Sequence, residues 1–397
     1  MAESVDTGEG LESRRSFLGA GLGIAGVAAA GGVLAGCSNA ANSQESNGVP
    51  GSVAFGDTEE GATPDIEWEM ATSWPTSLVT VYGSAEMIAD EVGKITGGRF
   101  KINPRPAGEV AAGTEVLQAV RDGVAQVGHT VSYYYTGLTP VHQFGTSVPF
   151  GLTQRQQNAW LYEGGGLDLL NSIYAEEHNI ITFPCGGTGC QMGGWFTKEI
   201  NSVEDLNGLR MRIPGAISGQ VLTNFGGEQI PLAAGKILEA IRNDEIDAAE
   251  FVGPNDDLAL GLDQLGKKLF YYYPGWWEPG STQEIQIDLD QWNKLPESYQ
   301  AAIRNAAANA DLRTLARNDV LNSAAFAQIQ EFAEVREFSE ELMRAFKEET
   351  ESVLDKQADE DPKFASILGP WREFRDSVSA WHGTAERSFL NQQTAIS

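Results

Sequence analysis

Apolar and polar residues alternate through Ile66-Glu67-Trp68-Glu69-Met70, the period of a half-buried strand. The period then changes. Met87, Ile88, Val92 and Ile95 recur three and four residues apart, which predicts a helix over 79–96 with one apolar stripe, stopped at Gly97-Gly98. Phe100 and Ile102 mark a second strand. Val116, Leu117, Val120 and Val124 mark a second helix, and residues 125–130 form a short buried strand. This βαβαβ order predicts a largely parallel sheet, whose ligand crevice lies beyond the carboxyl ends of its strands.

The second half repeats the style. Strands fit at 180–184, 194–198, 209–213, 228–232 and 247–252, with a helix at 237–242 running straight into the last of them. The alternating run Glu284-Ile285-Gln286-Ile287-Asp288-Leu289 is long enough to pass between domains. From Pro296 onward the pattern predicts almost unbroken amphipathic helix, more than a second domain needs to close. The roughly 330 residues after position 64 exceed one typical core and suit two domains. The expected fold class is therefore α/β. Residues 65–187 with 280–325 form one domain, and 188–279 with 326–397 the other, which carries the C-terminal helices.

The N-terminus breaks this pattern. Ser13-Arg14-Arg15-Ser16-Phe17-Leu18 opens an uncharged, Gly- and Ala-rich run that closes on Leu34-Ala35-Gly36-Cys37. A twin arginine before a weakly apolar segment reads as an export signal of the twin-arginine type. The ending resembles a lipobox, with lipidation at Cys37; retention as an uncleaved anchor is the alternative. The glycines make a spanning helix unfavourable. Residues 38–64 lack the large apolar side chains of a core and read as a tether to the membrane.

Charge narrows the partners. Fifty-five acids against 27 bases give a net −28, which argues against nucleic acid and anionic membrane surfaces. Beyond Cys37 only Cys185 and Cys190 remain. In an oxidising compartment they form either a bridge across Gly186-Gly187-Thr188-Gly189 or two free thiols.

Candidate chemistry centres on two segments. Cys185–Phe196, with five glycines, is a loosened turn that brings backbone and the Gln191 amide close to a small solute. In Gly208-Leu209-Arg210-Met211-Arg212-Ile213-Pro214 the arginines alternate with apolar residues and share one strand face. An arginine on a rigid strand beside a glycine-lined cleft suits a carboxylate, although a surface arginine is commonly just a solvated charge. Trp74 follows the first strand at its carboxyl end, where ligands bind. If Tyr133-Tyr134-Tyr135 is a strand, alternate residues face opposite sides and one phenol reaches the cleft; otherwise all three pack. Tyr135 is the candidate, with Asn255 as a further solute contact. Trp276-Trp277 either walls the pocket or covers the hinge. The four histidines form no HExxH, there is no Gly-x-Ser-x-Gly, and Gly235-Lys236 lacks the rest of a phosphate loop.

Taken in order, Pro106-Ala107-Gly108-Glu109, Leu117–Gly123, Gly128-His129, Pro149-Phe150-Gly151-Leu152, the 208–214 strand and Asp247-Ala248-Ala249-Glu250 resemble the solute-binding proteins of TRAP transporters across residues 65–370. Gln191-Met192-Gly193-Gly194-Trp195 and Pro274–Gly280 resemble the subgroup that binds small 2-oxo or 2-hydroxy monocarboxylates with a cation. The resemblance implies a periplasmic-binding-protein-like fold, two α/β domains closing on an organic-acid anion for delivery to membrane permease subunits, with a homodimer built through the C-terminal helices. It assigns carboxylate recognition to Arg212, and cation binding to Gln191, Glu250, the main chain of Phe251, and Glu278. Phe251 stands where that subgroup often has Trp, which reshapes the pocket wall but spares a carbonyl ligand. These oxygen donors suit Na⁺ or Ca²⁺ and not zinc. By spacing alone, Glu250 and Glu278 also read as ordinary loop acids.

The expected protein is thus an extracytoplasmic, lipid-anchored receptor and not an enzyme. The competing reading is an extracytoplasmic metal-dependent hydrolase or lyase with Glu250 or Glu278 as base. It lacks a histidine near the cation and any nucleophile–base pair. An ABC-type receptor fits the segment order and the helical C-terminus less well.

Overall fold

A computed structural model describes residues 63–396. The twin-arginine segment, Cys37 and nearly all of the expected tether lie outside those residues. Among them, no helix is long and apolar enough to cross a membrane.

Strand β1 (Ile66–Thr72) leads into α1 (Val81–Ile95), β2 (Phe100–Arg105), α2 (Val116–Arg121) and β3 (Val127–Thr130), in the order the apolar periods require. Gly97 and Gly98 take positive φ and end α1. Three helices with short or Gln-rich stripes follow: α3 (His142–Thr146), α4 (Gln154–Tyr162) and α5 (Gly166–His178). They precede β4 (Ile180–Gly187). Residues 188–193 carry the chain to β5 (Gly194–Phe196), β6 (Arg210–Arg212), α6 (Ala216–Asn224), β7 (Glu228–Gln229) and α7 (Ile237–Arg242). Then come β8 (Ala248–Ala249), α8 (Pro254–Ala259) and β9 (Phe270–Tyr273). Residues 274–281 return it to β10 (Thr282–Asp288), α9 (Leu289–Lys294) and α10 (Glu297–Ile329). The chain ends through β11 (Glu334–Glu337), α11 (Glu340–Glu360), α12 (Pro362–Thr384) and α13 (Glu386–Ile396).

Two sheets result, ordered β2-β1-β3-β10-β4 and β11-β9-β5-β8-β6-β7. Each is parallel except for one strand. β10 opposes β3 and β4, and β5 opposes β8 and β9. The expectation of a largely parallel sheet therefore holds only for strands joined by helices. β5 and β10 arrive directly from the other sheet, with no helix to return them to the starting edge, so they enter at the carboxyl ends and run backwards. Both passages, 188–193 and 274–281, consequently lie at those carboxyl ends, where the crevice is expected.

The alternating run at 284–289 does not pass between sheets; β10 is enclosed between β3 and β4, and the coil before it makes the passage. The chain after Pro296 is almost wholly helical, as expected, and among the described residues its one interruption is β11, which pairs parallel to β9. Glu334-Val335-Arg336-Glu337 has one apolar residue, too few to show a strand period. The strand expected over 247–252 is only β8, since Glu250–Val252 leave the ladder.

Trp68, Ile88, Phe100, Ile285 and Ile303 form the core of the first sheet. Phe144, Met211, Phe346 and Trp371 anchor the core that α11 and α12 cover. Trp74, Trp195, Phe251, Tyr271 and Ile329 form a third cluster, which packs strands of the second sheet against residues that follow β1 and β3, Trp74 and Val131. Each fully buried side chain of this size contributes about 1.5–3 kcal/mol. Helix α10 buries Ile303 in the first core and Ile329 in the third, so one rigid rod spans both.

Candidate functional site

Strand β6 delivers Arg212, 4% exposed, into the space between the sheets. Pairing with β8 sets what faces it: the Glu250 N–H donates to the Arg212 carbonyl at 3.0 Å, one step beyond the ladder. The Arg212 Nη1 donates to the Glu250 carbonyl at 2.7 Å and to the Glu250 carboxylate. The second carboxylate oxygen accepts from Trp277 Nε1 at 3.2 Å. The guanidinium lies 5.6 Å from the centroid of the Phe251 ring. Arg210, two residues back, instead pairs with the part-exposed Asp247.

The two passages are laced to this centre. Gln191 N–H donates to the Glu278 carbonyl at 3.1 Å, Gly275 N–H to the Gln191 carbonyl at 3.0 Å, and Met192 N–H to the Val252 carbonyl at 3.4 Å. A Cβ on Gly275 would stand 2.7 Å from the Gln191 carbonyl, so only glycine allows this approach. Gln191 Nε2 donates to Thr188 Oγ1 at 3.1 Å, which leaves Oε1 buried with no partner. Both carboxylate oxygens of Glu278 are also buried without a hydrogen bond of normal geometry.

Three buried acceptors without a well-formed hydrogen bond are costly, and a second carboxylate, Glu250, adds repulsion. Burial, against the pull of Arg212, raises Glu250 well above the usual carboxylate range, and Glu278 pushes it further. Burial likewise lifts Glu278 to about 7, with the Tyr133 hydroxyl, Arg212 and Ser281 favouring its charged form. Arg212 stays protonated although burial opposes its charge, because Glu250, the tyrosines and Glu278 outweigh it. Among the described residues no three His, Cys, Asp or Glu side chains gather as a metal site. Two carboxylates with an amide oxygen and main-chain carbonyls are a donor set for a hard cation, and not for zinc.

Beside them lies a small cavity of about 20 Å³, lined by Trp74, Val131, Thr188, Gln191, Phe251 and Val252 among others. By this measure one water needs roughly 10–15 Å³, so a small acid requires the walls to move. Tyr133, Tyr134 and Arg212 line both this cavity and a more open cleft of about 480 Å³. These three side chains are the partition between them.

Five of the sequence-derived residues, Arg212, Gln191, Glu250, Phe251 and Glu278, are brought to one place, and Trp74 joins the cavity wall. The Trp74 indole donates to His129 Nδ1 at 2.9 Å, which leaves its ring face for the cavity. Trp276-Trp277 divides: Trp277 holds Glu250, whereas Trp276 stacks on Phe346 in the core. Two residues are not at the site. Tyr135 bonds Thr130 Oγ1 at 2.8 Å and accepts from Leu117 N–H at 3.2 Å. The reason is local: Ser132–Tyr135 is a 3₁₀ turn and not a strand, so alternation does not apply. Asn255 points to Asp256, and its N–H meets Asn322 Oδ1, away from the cavity. Thr188, Tyr133 and Tyr134 belong to the site instead; the tyrosine run was the available signal, read with the wrong period. Cys185 and Cys190 are free thiols, the first buried in the core and the second donating to the Pro279 carbonyl at 2.9 Å.

A family model described as bacterial extracellular solute-binding protein, family 7 (DctP), matches residues 70–361. A monocarboxylate 2-oxoacid-binding periplasmic protein of Nostoc sp. (strain PCC 7120) is 45% identical over 333 residues, which are 84% of this chain and 90% of that protein. A TRAP transporter solute-binding protein from Bordetella bronchiseptica RB50, a dimer with copurified calcium and picolinate, is 37% identical at TM-score 0.81, over 84% of this chain and 98% of that one. Two others are 32% identical at TM-score 0.79. One, from Colwellia psychrerythraea with calcium and pyruvate, covers 83% of this chain and 99% of that one. The other, from Pseudoalteromonas atlantica T6c with sodium and pyruvate, covers 82% and 99%.

Proposed function

Because the chain belongs to the bacterial extracellular solute-binding protein family 7, we propose that it is the receptor of a TRAP-type secondary transporter, binding a small 2-oxo or 2-hydroxy monocarboxylate together with Ca²⁺ or Na⁺. The observation that carries the cation is the set of buried acceptors without a well-formed hydrogen bond, Gln191 Oε1 and both oxygens of Glu278, beside the Arg212–Glu250 pair. In this reading Gln191, Glu250, Glu278 and the Phe251 carbonyl hold the cation, which supplies a positive centre for two solute oxygens. Arg212 supplies the bidentate fork for the carboxylate, and Tyr133, Tyr134 and Trp74 wall the solute. A three-carbon acid of this class has six heavy atoms, so its ceiling is about −9 kcal/mol, a Kd near or just below micromolar. Arg212 alone contributes too few contacts to approach it.

The domain assignment goes with this reading. Residues 65–187 with 280–325 make one lobe and 188–279 with 326–397 the other, supported by the division of strands between the two sheets. The protein acts outside the cytoplasm, tethered through Cys37 after twin-arginine export, and hands its solute unchanged to the permease. The copies pair through the C-terminal helices, where Trp381, Phe389 and Leu390 are exposed.

Native mass spectrometry of protein purified without dialysis tests the core of this reading. The expected mass excess is one cation plus one small acid, recovered chemically unchanged. Turnover of the acid, or solute binding at full affinity in a verified cation-free preparation, overturns it.

A further inference from the structure

One buried carboxylate beside the cation ligands has no part in the reading above. Asp257 in α8 is 1% exposed. Its Oδ2 accepts from Trp195 Nε1 at 2.9 Å and from the Tyr271 hydroxyl at 2.7 Å, and those two rings stack with centroids 4.1 Å apart. Its Oδ1 accepts from the Val252 N–H at 3.3 Å. Asp257 thus folds back onto Glu250–Val252, the segment that carries two of the cation ligands.

The last contact has a geometric consequence. Val252 N–H and the Phe251 carbonyl belong to the same planar trans peptide and point in opposite directions. Fixing the N–H on Asp257 therefore aims the Phe251 carbonyl away from Asp257. The charge has a second consequence. Glu250, Glu278 and Asp257 are all buried, and Arg212 is the one buried guanidinium among the described residues. Once a cation draws off their protons, three carboxylates against one cationic side chain leave two negative charges before any solute anion enters. A doubly charged ion gains twice the Coulomb energy of a singly charged one from such a field.

Resting on the receptor reading above, we propose that Asp257 is the positioning and specificity-determining carboxylate of the cation site, holding the Phe251 carbonyl in place and selecting Ca²⁺ over Na⁺. The alternative, a carboxylate that merely anchors Trp195 and Tyr271 in the core, would leave cation choice unaffected.

The test titrates the intact protein, stripped of cations, with calcium chloride or sodium chloride alone, and then with pyruvate as the reporter acid. Wild type is expected to prefer Ca²⁺ at least a hundredfold. Asp257→Asn keeps the size and one acceptor but removes the charge. It should bind Ca²⁺ at least tenfold more weakly and Na⁺ less than threefold more weakly, and excess Ca²⁺ should restore pyruvate binding. Tyr271→Phe keeps the charge and should keep the Ca²⁺/Na⁺ ratio. An unchanged ratio in folded Asp257→Asn overturns the proposal, as does an equal fall in Tyr271→Phe. Equal Ca²⁺ and Na⁺ affinity in wild type overturns it even if Asp257→Asn fails to fold. A wild type that binds neither cation overturns the receptor reading as well, so the two failures are distinguishable.

Discussion

One nitrogen of Arg212 donates to both the main-chain carbonyl and the side-chain carboxylate of Glu250, so the arginine assigned to the solute also neutralises an acid assigned to the cation. The two functions therefore compete for the same charge. Arg212 is free to turn its fork to a solute carboxylate once Glu250 has another positive partner. Cation and solute binding should be mutually reinforcing for that reason.

Arg212→Lys should fold and yet lose affinity for the acid. An ammonium replaces the guanidinium charge but not its two-pronged geometry. A charge-assisted hydrogen bond contributes about 1.5–3 kcal/mol, so calorimetry should read a loss of roughly ten- to a hundredfold. Parental affinity in this variant would remove Arg212 from the site.

Glu278→Gln should separate stability from function. With its carboxyl lifted to about 7, Glu278 costs the cation-free protein stability as pH rises from its ordinary value of 4.5 to 7, and the full cost is present above 7. The amide removes this cost, so the variant's Tm at pH 8 without cations should rise, by the equivalent of about 1–3 kcal/mol. Its cation affinity should fall at least tenfold, and pyruvate binding with it. A lower Tm with unaltered cation binding would contradict both parts.

The tyrosine run gives a paired test. Tyr133→Phe should weaken solute binding roughly two- to tenfold, through the loss of one hydroxyl contact of about 0.5–1.5 kcal/mol. Tyr135→Phe should leave solute affinity unaltered and reduce stability by about 1–3 kcal/mol, because the buried Leu117 N–H loses its acceptor. The reverse pattern in titrations of the two variants would restore Tyr135 to the site.

Asp256→Asn should change the pH dependence of stability. Burial raises Asp256 to about 7, although the Thr80 hydroxyl donates to both its oxygens. The folded protein thus holds this proton where the unfolded chain has lost it, so stability drains as pH rises from about 4 to 7. Removing the group should shift stability in the variant's favour over that window, by up to about 1.4 kcal/mol per pH unit. His129 and His142, both depressed to about 3 by burial, act oppositely, losing stability as pH falls below their unfolded value. They are common to both proteins and cancel in the difference. Urea titrations at pH 4.5, 6 and 7.5 read it directly; parallel curves would refute the shift.

Light scattering should give a dimer at micromolar concentration. Trp381 and Phe389 are each more than 60% exposed on α12 and α13. Charged substitutions at both should yield a monomer with pyruvate affinity retained. A monomeric wild type would dismiss the pairing.

The parts of this protein that were legible in its sequence are those fixed by neighbours along the chain. The apolar stripe of α1 and the glycines that end it, the Ile237–Arg242 helix and the early βαβαβ order follow from local periodicity, which needs no knowledge of the partner. The proposed export and tethering likewise rest on residues 13–64 alone. The proposed donor set was visible only as separate segments resembling a family, because Gln191, Glu250 and Glu278 lie far apart in sequence.

Periodicity could not supply what depends on how the chain crosses between sheets. β5 and β10 run backwards because each enters from the other sheet at the carboxyl ends, a fact of connection and not of composition. β11 pairs through its main chain, so its polar side chains hid it. The 3₁₀ turn at Ser132–Tyr135 set which phenols face the cleft, and three residues per turn replaced the expected alternation. Asp257 reads along the chain as one more acid among 55. Only folding α8 back onto Val252 gives that carboxylate a peptide to orient and a charge to share. The sequence thus determined the elements and the chemistry carried on them, because those are properties of neighbouring residues. The tertiary structure alone decided which groups meet, because hydrogen bonds and buried charges are settled by distance in space.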